Sequence, residues 1–287
     1  MANKNRAYIA LGIGVLSVST AAIFVKLSAA PASIIALYRL LFSTLILGIP
    51  TIIYYREELR LLKNKEWLYS MLSGVFLAIH FITWFESLKY TSVASSVVIV
   101  TLQPILAMIG GYFLFKEKVS ILGVIGAFFA LAGAFIVGWG DFNIAGQALI
   151  GDFLAFIGAI TATGYWLFGQ TLRKKLSLLP YTTVVYSTST ILLLIYNILL
   201  GIDLLDYELR DWKLFIALAV IPNIMGHTIL NWTIRYINAT TVTMSILVEP
   251  IGSIILAFLI LNETVELLQM IGGLIIIGGI FIYLKYK

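Results

Sequence analysis

Few side chains in this sequence can handle a proton or a charge, and their spacing brings several of them together. Glu249 falls near the middle of an apolar run, beside Pro250. A carboxyl there carries a proton, recognises an amine, or locks one helix to the next. Asn223, His227 and Asn231 are four residues apart, a stripe that drifts by only about 40° per step on a helix of 3.6 residues per turn. Their run and that of Glu249 are joined by roughly four residues and must be antiparallel. At 1.5 Å per residue, His227 and Glu249 then differ in depth by on the order of 5 Å. Histidine titrates near neutral pH, so such a pair would couple protonation to conformation. The plainer reading is a set of interhelical hydrogen bonds of about 0.6 kcal/mol each.

Other candidates surround this pair. His80 lies one turn before Trp84, with Phe81 and Phe85 continuing the aromatic surface. Tyr165 and Trp166 sit well inside another run, where they either pack or stack on an organic cation or ring. Gln103-Pro104 matches Glu249-Pro250 with a neutral amide in place of the acid. Each proline strands a carbonyl four residues earlier, that of Val100 or Ile246, and favours a bend. Arg39 lies a quarter of the way into its run, placed to capture an anion or to form a structural pair with Glu86 or Asp152. Trp67, Trp139, Trp212 and Trp232 lie at run ends, where an interfacial belt explains them, and Trp84 is close to one.

The elements that position these residues are set by composition. The chain has 287 residues, 61% apolar and 11% charged, against roughly 45–50% and 25% in a soluble domain. Ten apolar windows reach the ~20 residues that a membrane-crossing helix needs, at 7–28, 32–54, 67–88, 92–115, 120–139, 150–172, 180–201, 213–234, 239–261 and 267–284. They are continuous rather than alternating, so they are helices, which satisfy their own backbone in lipid. Zero cysteines exclude a disulfide framework, Cys-ligated metal or thiol nucleophile. With both termini on one side, that side collects nearly all of the 19 Lys and Arg. Only Lys89, Arg210 and Lys213 fall opposite, and Lys26 and Arg39 within spans. The positive-inside rule makes both termini cytoplasmic. The basic residues form no face for nucleic acid, and the first span is a retained helix rather than a cleaved leader.

The chain matches itself, without gaps, at an offset of 146 residues: Tyr90 on Tyr236, Gln103-Pro104 on Glu249-Pro250, Glu117 on Glu263, Gly126 on Gly272 and Gly133 on Gly279. Each half, 1–145 and 146–287, holds five spans, an odd number, so the second is inverted. Lys116-Glu117-Lys118 lies inside, while its counterpart Asn262-Glu263-Thr264 lies outside and lacks both lysines. Inverted repeats are the pattern of secondary transporters, with the site near the midplane.

Thr101-Leu102-Gln103-Pro104 with Phe115-Lys116-Glu117-Lys118, and Leu247-Val248-Glu249-Pro250 with Leu261-Asn262-Glu263-Thr264, make the chain resemble the drug/metabolite transporter superfamily, and within it the EamA-type ten-span exporters. The resemblance covers both halves. Asn262 departs from the small residue often found before the second-half Glu. The resemblance implies a basket of helices around a central cavity, alternating access, export, and cargo ranging from amino acids to nucleotide sugars.

Enzyme readings fare poorly. Gly138-Trp139-Gly140-Asp141 matches an intramembrane aspartyl protease signature, but no second Asp lies at midplane depth to complete the acid–base pair. No Gly-x-Ser-x-Gly, His-Glu-x-x-His or Walker A sequence is present. A channel would need a ring of charge or a carbonyl filter. The expectation is therefore an all-α, multi-pass protein of the inner or plasma membrane, two inverted five-helix repeats around a cavity. It moves a small organic metabolite, an amino acid or amine-bearing compound, without cofactor or metal and with a proton as candidate coupling ion. Trp84, Tyr165 and Trp166 would hold the apolar part of the cargo, and Glu249, His227 and Asn223 its polar part or a proton, with His80 and Gln103 as further substrate-binding candidates and Pro104 and Pro250 as bending points.

Overall fold

The computed structural model describes residues 2–91, 93–138, 146–262 and 264–287. Trp139, Asp141 and Glu263 lie outside them. Ten described helices are long and apolar enough to cross a membrane, and we number them spans 1 to 10: Asn5–Leu27, Ala32–Tyr54, Asn64–Ser87, Ser95–Phe115, Ile121–Gly138, Gln147–Leu172, Leu178–Leu199, Leu209–Thr233, Ala239–Leu261 and Leu267–Tyr286. Their outward surfaces carry large apolar side chains, among them Ile52, Phe113, Phe128, Leu259 and Phe281, as a helix bathed in hydrocarbon requires. The chain is a multi-pass membrane protein of two five-helix repeats.

The packing order obeys the repeat. Span 3 packs on span 6 and span 8 on span 1, which are equivalent pairs when five is added to each number. Spans 2 and 7, 4 and 9, and 5 and 10 pack on their own counterparts. The contact of spans 5 and 10 shows the inversion at atomic detail. Gly126 faces Gly279 and Gly133 faces Gly272, so closely that a Cβ on Gly133 would meet the Gly272 carbonyl oxygen at 2.6 Å. Since Gly126 corresponds to Gly272 and Gly133 to Gly279, this crossing maps onto itself under a two-fold rotation lying in the membrane plane. Small residues let the two backbones touch where lipid supplies no hydrophobic drive for association.

Three spans are interrupted by a two-residue turn. Span 1 divides into Ala2–Val18 and Ala21–Leu27, span 4 into Val93–Val100 and Gln103–Phe115, and span 9 into Ala239–Ile246 and Glu249–Leu261. Pro104 and Pro250, expected as bending points, each follow such an interruption closely. Each proline is the second residue of a new half-helix, where its missing N–H costs nothing, and the break precedes it by two residues. The second halves of spans 4 and 9 also end alike, on left-handed residues at equivalent positions: Lys116 at φ 57° and ψ 29°, Asn262 at φ 55° and ψ 30°. Asn tolerates this conformation, which accounts for Asn262 at that place.

Span 8 departs furthest from expectation. Residues Ala219–Thr228 form a π-helix, between the α-helical stretches Leu209–Leu218 and Ile229–Thr233. Pro222 inside it removes one donor from the i to i−4 ladder, and wide turns of this type relieve such a loss. The angular register of Asn223, His227 and Asn231 is therefore not that of an α-helix.

Candidate functional site

Spans 1, 2, 3, 4, 6, 8 and 9 surround a central hollow of about 30 Å³, lined by Arg39, His80, Trp84, Gln103, Trp166, His227 and Glu249 together with Val18, Ala21, Val100, Ala162 and Ile246. That volume holds one or two water molecules at most. Seven residues singled out by type and spacing thus converge from six different spans. The apolar members, above all Val18 and Ala21 at the break of span 1, carry no signal that separates them from any other core residue.

Two of the expected contacts stand behind the wall instead of in it. Asn223 is buried and bonded on both sides: its Oδ1 accepts from Arg39 Nε at 3.2 Å and its Nδ2 donates to Ser43 Oγ at 2.9 Å. Tyr165 backs onto Trp166 and His227, with ring centroids 4.5 and 6.0 Å away, and its hydroxyl is held by Asn231 Nδ2. Asn231 also donates to the His227 carbonyl at 2.8 Å. The three residues of the stripe therefore face three different partners, a result of the π-helical turn, and only His227 lines the hollow.

Arg39 corrects the sequence reading most. It forms no pair with Glu86, which takes Lys89 at 2.8 Å, or with Asp152, which accepts from Thr91 and Ser95 at 2.9 Å. Arg39 is 0% exposed, with its Cζ 4.4 Å above the Phe81 ring. Only Nε is bonded; Nη1 and Nη2 have no partner. A buried guanidinium with two idle nitrogens is costly unless an anion or water completes it. Trp84 Nε1 and His227 Nδ1 are likewise unpartnered. Trp84 is 4% exposed, so it is a wall of the hollow and not part of an interfacial belt.

The walls are aromatic. His80 stacks on Trp84 at 5.6 Å and 14°, and His227 on Trp166 at 5.4 Å and 8°, while Phe81 lies between the two histidines. His80 Nδ1 is 3.0 Å from the Gly158 carbonyl, which fixes this nitrogen as the protonated one and leaves Nε2 as an acceptor. Gln103 is bonded at both ends of its amide: Nε2 donates to the Val100 carbonyl and Oε1 accepts from Trp166 Nε1, both at 3.0 Å. Glu249 is buried, and among the described residues it makes no hydrogen bond or ion pair. The groups in the hollow include no described cluster of three metal-ligating side chains.

Hydrogen bonds and aromatic contacts link the spans at both ends of the bundle. At the end carrying the chain termini, Glu117 accepts from Gln170 Nε2 at 2.7 Å and from Asn238 Nδ2 at 2.9 Å, and the Ala239 backbone N–H donates to Gln170 Oε1. One carboxylate so joins spans 4, 6 and 9. Asn238 also caps span 9 through the Thr241 N–H. At the other end Asp211 accepts from Ser28 and the Ala29 N–H, and Tyr38, Trp212 and Phe215 form an aromatic cluster. Glu117 stood out in the sequence only as a repeated motif residue; the hydrogen bonds from Gln170 and Asn238 are what reveal the tie.

Comparison with known proteins agrees with this architecture. The model of the EamA-like transporter family matches residues 5–139 and again 149–285. An uncharacterized transporter of Bacillus subtilis, YdfC, is 24% identical over 200 residues, 69% of this chain and 64% of that protein, so the match spans under two thirds of its length. A second from the same organism, YxxF, is 22% identical over 278 residues, 96% of this chain and 88% of that one. A solved crystal structure with 18% identity superposes with a TM-score of 0.80 over 98% of each chain, which shows a shared fold. Two matches to one family, one in each five-helix half, make this chain a member of the EamA-like transporter family.

Proposed function

We propose that this protein is a secondary carrier of a small zwitterionic metabolite, an amino acid with an apolar or aromatic side chain, moved by alternating access and exported across the cell membrane with the lysine-rich end in the cytoplasm. The observation that carries this reading is Arg39, whose two unpartnered terminal nitrogens belong to a residue lining the same hollow as the unpartnered Glu249. A guanidinium fork matches a carboxylate in bidentate geometry, and Glu249 matches an ammonium. Together they suit a molecule bearing both charges and reject one bearing only one, since the idle charge would stay buried. His80, Trp84, Trp166 and His227 offer ring faces to the side chain. A hollow of about 30 Å³ is far below the 300–1,000 Å³ usual for a ligand pocket, so cargo enters only when one end opens. The breaks of spans 4 and 9 are the natural hinges for that movement.

Counterflow in liposomes containing the purified protein tests the reading. Labelled amino acid should accumulate only when unlabelled amino acid is trapped inside, with saturation, whereas a channel shows neither behaviour. Replacing Arg39 by Gln removes two charge-assisted hydrogen bonds worth about 1.5–3 kcal/mol each. Affinity should then fall about 10²- to 10⁴-fold. If an amine without a carboxylate exchanges equally well in the parent and in R39Q, the zwitterion assignment is wrong.

A further inference from the structure

Gln103 and Glu249 are the same position of the two repeats, and each follows by three residues a carbonyl that a proline has stranded. Pro104 has no N–H for Val100, and Pro250 has none for Ile246. In the first half the gap is filled from the side: Gln103 Nε2 donates to the Val100 carbonyl at 3.0 Å. The second half has the same construction. Ile246 and Glu249 line the hollow as Val100 and Gln103 do, and the break spans the equivalent two residues. Both half-helices end in the same left-handed conformation. Yet the side-chain donors of this half-helix, Thr243 and Ser245, end on the carbonyls of Ala239, Thr240 and Thr241, and among the described residues no side chain takes the place at the Ile246 carbonyl that Gln103 takes at Val100. An ionised carboxylate has no hydrogen to give, whereas a carboxylic acid has one.

We infer that Glu249 and the Ile246 carbonyl form a proton-binding site, in which the protonated carboxyl caps the break of span 9 as the Gln103 amide permanently caps the break of span 4. The inference rests on the carrier reading in one respect: the ionised acid that would receive the ammonium of the cargo is the same group that, once protonated, turns to the carbonyl. Proton and ammonium are then alternatives at one carboxyl, and each leaves the hinge of span 9 in a different state. The titratable and charged groups facing Glu249 across the hollow are Arg39 on span 2, His80 on span 3 and His227 on span 8; spans 1, 4 and 6 present Val18, Ala21, Gln103, Ala162 and Trp166. Span 10, which also packs on this half-helix, carries no Asp, Glu, His, Lys or Arg from 267 to 284.

Hydrogen exchange of the amides at 247–252 tests the site in the intact purified protein, read across pH and corrected for intrinsic chemical exchange. In the parent, exchange should slow about 2- to 10-fold as the carboxyl becomes protonated, the factor of an ordinary hydrogen bond. E249Q, which can donate like Gln103, should be slow at every pH, and E249M, of similar size without a donor, fast at every pH. PH dependence that survives in E249M belongs to His80 or His227. If E249Q exchanges like E249M, charge and not capping governs the segment, and the inference fails. The reciprocal variant Q103E should confer the same pH dependence on 101–106, and its insensitivity would equally overturn the proposal. Counterflow is read separately: exchange results against the site with counterflow intact refute the site alone, and absent counterflow with the predicted exchange pattern refutes the carrier reading alone.

Discussion

Alanine at Gly279 should be the most disruptive single methyl that can be added to the contact of spans 5 and 10. A Cβ at this position would lie 2.3 Å from the Ala130 nitrogen and 2.6 Å from the Gly126 carbonyl oxygen, both backbone atoms that no rotamer change can remove, whereas ordinary contact begins at 3.4 Å. The helices must therefore part by about 1 Å at the crossing, a gap that forfeits roughly a quarter to a half of each dispersion contact beside it. Overpacking of this kind costs about 1–3 kcal/mol. Gly278, one residue earlier, has nothing within 4 Å of its would-be Cβ, so G278A serves as an internal control and should unfold within about 0.5 kcal/mol of the parent. Equilibrium unfolding in mixed micelles measures both. Because Gly126 and Gly279 share one crossing, G126A/G279A should cost less than the sum of the two single variants. A G279A protein as stable as the parent, or a G278A protein as damaged as G279A, would show that this two-fold contact does not hold the halves together.

Two further outcomes follow from the ends of the bundle. Glu117→Gln leaves one acceptor oxygen where Gln170 and Asn238 now use two, so the tie between spans 4, 6 and 9 should loosen; a cysteine placed at Ala162, in a chain with none of its own, should then react several-fold faster with a polar maleimide, and an unchanged rate would refute the tie. Lys116 adopts φ 57°, a conformation costing a non-glycine residue about 1–2 kcal/mol. Lys116→Gly should stabilise the protein by up to about 1 kcal/mol after the entropy loss of glycine, and Asn262→Gly should do less, as unfolding of the two variants will show.

The chemistry of the site was legible because polar residues are so few in an apolar chain. His80, Gln103, Trp166, His227 and Glu249 could be picked out by type and depth, and all line the hollow. Asn223 was legible as a buried polar group but not as one held behind the wall, because spacing reports a helix face only when the helical period is known, and Pro222 changed that period; Tyr165 lies about 100° around its helix from Trp166, so the two neighbours do not share the face that meets the hollow. Of the two alternatives for Arg39, the structural pair fails because Glu86 takes Lys89 and Asp152 takes Thr91 and Ser95, and anion capture remains.

What the chain alone determined is the number of spans, their helical nature and the inversion of the second half, since hydropathy, backbone satisfaction in lipid and an odd span count are all local or arithmetical properties. The tertiary structure alone decided that the two terminal nitrogens of Arg39 are left without a partner at the hollow, that Gln103 caps a carbonyl whose counterpart no side chain caps, and that the hollow is small. Those facts depend on which side chains from distant spans reach one another first, and a partner already occupied elsewhere leaves no trace in the sequence of the residue it deserts.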